Sequence, residues 1–348
     1  MNTGVNASIE LVLKAHDVMC VYDSGMTNSK LIPSQAMTKA MSFRHWQGYL
    51  QYRLEKLRRG VFKRLAKRSL PLVFRGGDII AQDPLANGYY EPEIKSLIDH
   101  FAQSGYGDFL LDIGANIGLS SCQSGMHFKT VHMFEPNPNC VDLLKINTRI
   151  ALRGCRYTIH EYGLGANDET LQLNVPHDNW GGAFIKSSDN EYDEQTLLAK
   201  EGASTVDENA YDVVAVKIQN ARRILTPLFQ ELASQNHTCG VIKIDVEGYE
   251  KFIIQEILAT LPQDIKVAII FENWMTNVDV AQYLGDAIAN LSNPFVLFKL
   301  QSQKNGTNAL PRWMNSWLNV WRGGFTTELR PAVSVLDGGT YVLLTNSD

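Results

Sequence analysis

From about residue 93 onward, short apolar runs alternate with longer segments in which apolar residues recur every three or four positions. Residues 109–112 (FLLD), 130–135 (TVHMFE), 157–163, 241–246 (VIKIDV) and 266–272 (KVAIIFE) are of the first kind. They are rich in Val, Ile and Phe and read as strands. Residues 137–152, with Val141, Leu144, Ile146 and Ile150, are of the second kind and read as a helix. So do 93–103, with Ile94, Leu97, Ile98 and Phe101, and 249–261. Residues 170–175 and 213–218 alternate as half-exposed strands do, and 72–81 has short strand-like pieces around Gly76-Gly77. Two late strands, 295–300 and 341–345, resemble a closing antiparallel pair. Alternating strands and helices predict an α/β fold. Its sheet is mostly parallel with helices on both faces, and ligands sit at the carboxyl ends of the strands.

Residues 1–70 differ from the rest: helical patterns dominate and strand signals are few. This part reads as a helical N-terminal extension ahead of a domain at 71–348. Within it, residues 53–68 (RLEKLRRGVFKRLAKR) set Arg53, Lys56, Arg58, Arg59, Lys63, Arg64, Lys67 and Arg68 against a lone Glu55. Leu54, Leu57, Val61 and Leu65 make one apolar face. Such a helix either packs its stripe on its own domain or a second subunit, or lies on anionic lipid or a lipid-linked glycan.

Composition changes this picture little. With 348 residues, 45% hydrophobic and 20% charged, the chain is of the soluble globular kind. A net charge of −5 argues against nucleic acid as the overall partner. Cys20, Cys122, Cys140, Cys155 and Cys239 are scattered without a C-x-x-C pair. That favours a reducing compartment over a disulfide framework or structural zinc. No apolar run approaches a membrane span, and Glu10, Lys14, His16 and Asp17 break up the apolar residues near the N-terminus. The expected location is cytoplasmic, with peripheral membrane contact if the basic helix meets lipid.

Candidate chemistry collects at the strand ends. FLLDIGANIG, residues 109–118, reads as strand, glycine turn and helix start. Gly114 and Gly118 frame it, but G-x-G-x-x-G is absent. A nucleoside ligand without a pyrophosphate fits, and S-adenosylmethionine is one. Glu135 ends the second strand, where a carboxylate suits the two hydroxyls of a ribose. Gly163-Leu164-Gly165 ends the third and borders an adenine or is a plain turn. The fourth runs into Lys243-Ile244-Asp245-Val246-Glu247-Gly248. If that strand continues, Asp245 and Glu247 face one way. They then serve as a general base or metal pair, or Glu247 caps the following helix. Glu272-Asn273-Trp274 brings another acid to the same edge. No spacing supports a metal strongly, and the expected metal set is none.

Several stretches together resemble the FkbM family of S-adenosylmethionine-dependent methyltransferases. They are Gly88-Tyr89-Tyr90-Glu91, residues 111–118 (LDIGANIG), Phe134-Glu135-Pro136-Asn137-Pro138, Asn147, Gly163-Leu164-Gly165 and residues 242–250 (IKIDVEGYE). The resemblance runs from about Pro71 to the C-terminus. It implies a class I methyltransferase fold with a seven-stranded sheet, and O-methylation of a sugar hydroxyl in a glycan or of a polyketide-type product. It also implies cofactor contacts at Asp112, Gly114, Asn116, Gly118 and Glu135, and the neighbouring Glu91, Ala115, Pro136, Asn137, Gly163 and Leu164 are expected to join them. It gives active-site roles to Asp245 and Glu247, and the strand ends add Lys243 and Glu272 as catalytic candidates. One departure is visible: the family often has Leu-Asp ending the strand before K-I-D-V-E-G, where this chain has residues 216–220 (VKIQN).

Three further stretches bear on the acceptor. Residues 189–209 are polar and acidic, as an insertion or loop would be, and residues 177–182 (HDNWGG) suit an acceptor-site loop. Trp313, Trp317 and Trp321 repeat every fourth residue, as a sugar platform or an interface stripe would. The leading expectation is an O-methyltransferase acting on a sugar hydroxyl of a surface glycan or its precursor. The alternatives are a small-metabolite O-methyltransferase and a non-catalytic subunit that keeps the fold. A homodimer is a candidate assembly.

Overall fold

The computed structural model describes residues 46–67, 69–185, 210–275, 277–285, 295–303, 326–331 and 335–345. The tryptophan repeat at 313, 317 and 321, the acidic stretch 189–209 and the first 45 residues of the extension lie outside them. The chain divides into two compact units, residues 1–63 and 64–348. Helix α1 (Trp46–Ala66) covers nearly all of the basic segment, as its spacing predicts. No helix among the described residues is long and apolar enough to cross a membrane.

Residues 72–81 form no strand, contrary to their alternation. Val73 finds a side chain instead of a strand partner. Its N–H donates to Asn147 Oδ1 at 2.7 Å, and Asn147 Nδ2 donates back to its carbonyl at 3.1 Å. A 3₁₀ turn (Ile79–Ala81), capped by Asp78, leads into α2 (Gln82–Asn87), which Gly88 ends in a left-handed conformation. Helix α3 (Pro92–Phe101) follows, with proline at its first turn and Ile94, Leu97, Ile98 and Phe101 buried.

The main chain of alternation is β1 (Phe109–Ile113), α4 (Leu119–Ser124), β2 (Thr130–Phe134), α5 (Pro138–Ala151) and β3 (Arg156–His160). An inserted set of strands comes next: β4 (Gly163–Gly165), β5 (Glu169–Pro176), β6 (Phe184–Ile185) and β7 (Tyr211–Asn220). The alternation resumes with α6 (Ala221–Ser234), β8 (Cys239–Ile244), α7 (Glu250–Thr260) and β9 (Lys266–Asn273). It closes with β10 (Val278–Asp279), α8 (Val280–Leu284), β11 (Phe295–Gln303), β12 (Thr326–Pro331), β13 (Val335–Leu336) and β14 (Gly339–Thr345).

The large sheet runs β12-β11-β14-β9-β8-β1-β2-β3. The five strands from β9 to β3 are parallel; β14, β11 and β12 are antiparallel. The sheet has eight strands rather than the seven expected, because β12 pairs along β11 as an extra edge. The late pair is antiparallel as anticipated, with Phe295 opposite Thr345. β1 is buried at every position, which explains its unbroken apolar run. Phe109, Leu111 and Ile113 face α6 and α7 residues such as Phe229 and Ile254, while Leu110 faces Ile98 of α3 and Leu144 of α5. The sheet is therefore covered on both faces.

Two expectations for the strand ends change. β3 stops at His160; Gly163-Leu164-Gly165 leaves the large sheet and pairs with β7. β5 and β7 pair antiparallel in a separate four-stranded sheet around Leu173, Val175, Val216 and Ile218. β7 ends at Asn220, whose Oδ1 accepts from Arg223 N–H and caps α6. An amide caps a helix as an aspartate does, so the departure at this position keeps the cap.

Candidate active site

The turn after β1 is shaped first by packing. The N–H groups of Gly114 and Ala115 both donate to the Phe134 carbonyl at 3.0 Å, tying β1 to the end of β2. Gly114 has φ +84°, and a Cβ there would lie 1.8 Å from the Asp245 carbonyl oxygen. The β8 end closes onto β1 through Asp245 N–H to Ile113 O at 2.9 Å. Gly114 is thus required by the neighbouring strand end. Gly118, at φ +86°, makes way for the Leu144 side chain and starts α4.

Glu135 is the fixed point of this wall. Its Oε2 accepts from Asn116 N–H at 2.7 Å and its Oε1 from Asn137 N–H at 2.8 Å. Asn116 reaches that position through a left-handed backbone (φ 51°), and its own Oδ1 accepts from Ile117 N–H. Burial pushes the Glu135 carboxyl up to about 7 against those two donors. Each carboxylate oxygen keeps a second lone pair, so two ribose hydroxyls can still be accepted. Asp112 lies behind the wall, fully buried, with Oδ2 accepting from Ser121 Oγ at 2.6 Å. Its Oδ1 has no hydrogen-bond partner. Burial raises its pKa, and the nearby Lys243 ammonium opposes the shift.

The opposite wall gathers ionisable groups around Lys243. Strand β8 ends at Ile244, so Asp245 and Glu247 do not share one face of a continuing strand. Glu247 and Gly248 turn left-handed instead, at φ 49° and 98°. The N-cap position of α7 is Tyr249 rather than Glu247. Glu250 anchors the loop instead: its carboxyl oxygens accept from Val246 N–H at 3.2 Å and Gly248 N–H at 2.9 Å. Buried, Glu250 rises to about 7. Lys243 Nζ donates to Asp245 Oδ2 at 2.9 Å. Burial works against its charge, but Asp245, Asp112 and Glu91 outweigh burial and hold its pKa well above the ordinary lysine value.

Glu91 belongs electrostatically to this wall. Burial raises it to about 7; Lys243 lowers it, while Asp245 and Glu272 add to the rise. Its backbone is left-handed (φ 42°) at the start of α3. The neighbouring Tyr90 holds it there by two bonds with Gln123 of α4, N–H to Oε1 at 2.8 Å and carbonyl from Nε2 at 3.1 Å. Tyr90 is itself pushed well above the usual phenol value by burial and by the charges of Glu91 and Asp245.

Between the walls lies a cleft of about 700 Å³ at the carboxyl ends of the parallel strands. The small sheet and the 177–182 loop form its outer side, through Leu171, Leu173, Trp180 and Phe184. Arg75 sits 4.4 Å from the Trp180 ring centroid, and Ile79 N–H donates to the Asp178 carbonyl, drawing the 75–80 segment over the same loop. Aromatic surface also comes from Tyr249, Phe252 and Trp274.

Of the expected residues, Glu91, Gly114, Ala115, Asn116, Glu135, Pro136, Gly163, Leu164, Lys243, Asp245, Glu247 and Glu272 line this one cleft. Asp112, Gly118 and Asn137 stand behind it as supports. Sequence reading missed Glu250 as the loop's anchor, although it sits in the quoted motif. It missed Asn147 as a bridge, where Nδ2 also donates to Ile117 O at 2.9 Å. It placed no weight on Ile80 or Asp78, because strand-like alternation hid a turn. Among the described residues no group of three or more His, Cys, Asp or Glu is arranged to hold a metal ion.

The donor set fits S-adenosylmethionine. A buried carboxylate with spare lone pairs meets the ribose, the glycine turn and Pro136-Leu164 edge leave room for a nucleoside, and Lys243, the one basic side chain among the described cleft-lining residues, is committed to carboxylates rather than to a phosphate. The chain matches the family model described as "Methyltransferase FkbM domain" over residues 112–293. No curated protein sequence matches it. Among solved structures, methyltransferase FkbM from Methylobacillus flagellatus KT is 18% identical, with 60% of this chain and 46% of that chain covered and a TM-score of 0.27. A SAM-dependent methyltransferase from Agrobacterium tumefaciens is 7% identical, with 75% and 64% covered and a TM-score of 0.36. Precorrin-6y C5,15-methyltransferase from Geobacter metallireducens GS-15 is 10% identical, with 79% and 93% covered and a TM-score of 0.32.

Proposed function

The chain belongs to the FkbM methyltransferase family, and on that premise we propose that it methylates a hydroxyl oxygen on a sugar of a surface glycan or its precursor. Its methyl donor is S-adenosylmethionine. When bound, that cofactor supplies an electrophilic methyl carbon on a sulfonium, open to in-line displacement.

The chain's own residues supply the rest. Glu135 would hold the ribose, with Gly114, Ala115 and Asn116 beneath it and Pro136 and Leu164 at the nucleoside edge. The observation that carries the acceptor reading is the opposite wall. Glu91, Asp245, Glu247 and Glu272 line it beside Trp180, Tyr249, Phe252 and Trp274. Carboxylates accept hydrogen bonds from paired hydroxyls, and indole or phenyl faces cover the C–H face of a sugar ring. A hydroxyl acceptor must also lose its proton, and a positioned carboxylate contributes about 10²- to 10⁴-fold to such a step. Asp245 is the leading candidate for that proton. Lys243 positions it through the 2.9 Å contact. The residual alternative is a hydroxyl of a small secondary metabolite, which the same carboxylates would serve.

The test is transfer of labelled methyl from S-adenosylmethionine to two panels, neutral mono- and oligosaccharides and hydroxylated small metabolites. A base-stable methyl ether on a sugar is the expected product; label confined to the metabolite panel or to nitrogen sinks the sugar reading. A folded protein that fails to bind S-adenosylhomocysteine by calorimetry would instead be a non-catalytic subunit. Asp245→Asn is expected to keep that affinity within about twofold and to lose about 10²- to 10⁴-fold in turnover.

A further inference from the structure

Helix α1 carries its own two-faced chemistry, independent of the cleft. Leu50, Leu54, Leu57, Val61 and Leu65 follow one another at steps of four, three, four and four residues. At 100° per residue they occupy an arc of roughly 80°. Leu50, Leu54, Leu57 and Val61 are exposed, as is Phe62, about 60° beyond the arc. Arg53 and Arg64 flank the arc on one side and Arg58 on the other, while Lys56, Arg59 and Lys63 lie behind it. Residues 53–67 hold seven basic side chains and one acid, a charge of +6. The whole chain is −5, so everything outside this stretch sums to −11. Arg59 pairs with Glu55 four residues back.

We propose that α1 is a binding surface for an anionic lipid bilayer, lying in the plane of the headgroups. Both faces decide for lipid over the other occupants. A nucleic acid would engage the basic side chains and leave the apolar arc wet. A second copy would cover the arc but bring two clusters of +6 together. A bilayer takes the leucines into its acyl boundary while the flanking arginines reach outward to anionic headgroups. The negative remainder of the chain is repelled by the same surface, so attachment is confined to this one helix.

The experiment is co-sedimentation of the full chain with vesicles of phosphatidylcholine alone and of phosphatidylcholine with one third phosphatidylglycerol, at low and high salt. At least tenfold more protein should pellet with the anionic vesicles at low salt, and high salt should release most of it. Two variants separate the faces: Arg53→Gln/Lys56→Gln/Lys63→Gln and Leu57→Ser/Val61→Ser. Each should lose the pelleting at least fivefold while melting at the wild-type temperature and binding S-adenosylhomocysteine unchanged. Equal pelleting with both vesicle types overturns the proposal, as does none with either. RNA retention without vesicle pelleting, or concentration-dependent dimerisation that the Leu57/Val61 variant abolishes without vesicle pelleting, also overturns it and assigns the helix to that occupant.

Discussion

On the β1–β2 side of the cleft, each oxygen of Glu135 meets its own backbone N–H, from Asn116 and from Asn137. On the opposite side, Asp245 and Glu91, with Asp112 reaching across from β1, all lean on the one ammonium of Lys243. The first wall is a set of fixed donors placed by backbone shape. The second is a charge balance among side chains from three distant segments. A wall of the first kind suits a ligand that is always the same, because its geometry is paid for during folding. A wall of the second kind suits a step in which a proton moves, since its carboxylates share one cation and each one's charge sets its neighbours' proton affinity. The two walls meet most tightly where Gly114 lies against the carbonyl of Asp245.

That contact is where the largest effect is expected. Gly114→Ala puts a Cβ 1.8 Å from a backbone oxygen at a φ of +84°. Neither strand end can retreat without breaking the Asp245 N–H to Ile113 O bond. Left-handed strain and overpacking together should cost about 3–5 kcal/mol. Urea unfolding would show it, and S-adenosylhomocysteine binding should be lost with it. A midpoint equal to wild type would mean that the walls are not coupled through this residue.

Lys243→Met tests the charge balance alone. Methionine fills much of the lysine's volume but leaves Asp112, Asp245 and Glu91 without their counter-charge. Losing one partner of a buried ionic group costs about 3 kcal/mol. The loss should shrink between pH 8 and pH 6, because Glu91, already up at about 7, takes a proton and relieves the repulsion. Unfolding measured at both pH values decides it; a loss that does not change with pH would assign Lys243 to packing.

The difference between the walls also explains what could be read from the chain. The first wall is nearly contiguous, and FLLDIGANIG with Glu135 announces a strand, a turn and an acid in order. The parallel strands were equally plain because burial on both faces leaves an unbroken apolar run, as in β1. The second wall needed topology. Glu91, Lys243 and Glu272 meet only after α3, β8 and β9 are placed, and Asp245 and Glu247 read as strand neighbours although β8 stops at Ile244. Glu250 was hidden because its function is to hold two loop amides, and no periodicity marks that. The outer sheet was hidden for another reason. β5 and β7 alternate as any half-exposed pair does, and nothing local says that they leave the main sheet. The strand-like 72–81 failed because Asn147, 74 residues from Val73, takes both backbone groups that a strand partner would use.

The smallest predicted effect is the most discriminating between the walls. Burial holds the Glu135 carboxyl at about 7, against an ordinary glutamate value of 4.5. The folded chain therefore binds this proton more tightly than the unfolded chain. The stability it contributes is fully present below about 4.5 and is lost as pH rises through about 7. Ribose binding has the opposite sign, because two donating hydroxyls need the ionised carboxylate. S-adenosylhomocysteine affinity should thus weaken about fivefold from pH 7 to pH 6, while the ligand-free protein melts higher over the same change. Glu135→Gln should bind the ligand about 10- to 100-fold more weakly at pH 8, since one of two charge-assisted contacts is lost and the amide NH₂ opposes a backbone N–H. Its affinity should be flat between pH 6 and pH 8. Calorimetric titrations at three pH values measure both arms. If the variant keeps the wild-type slope, the titrating group lies on the Lys243 wall, and the fixed wall is not the one that senses protons.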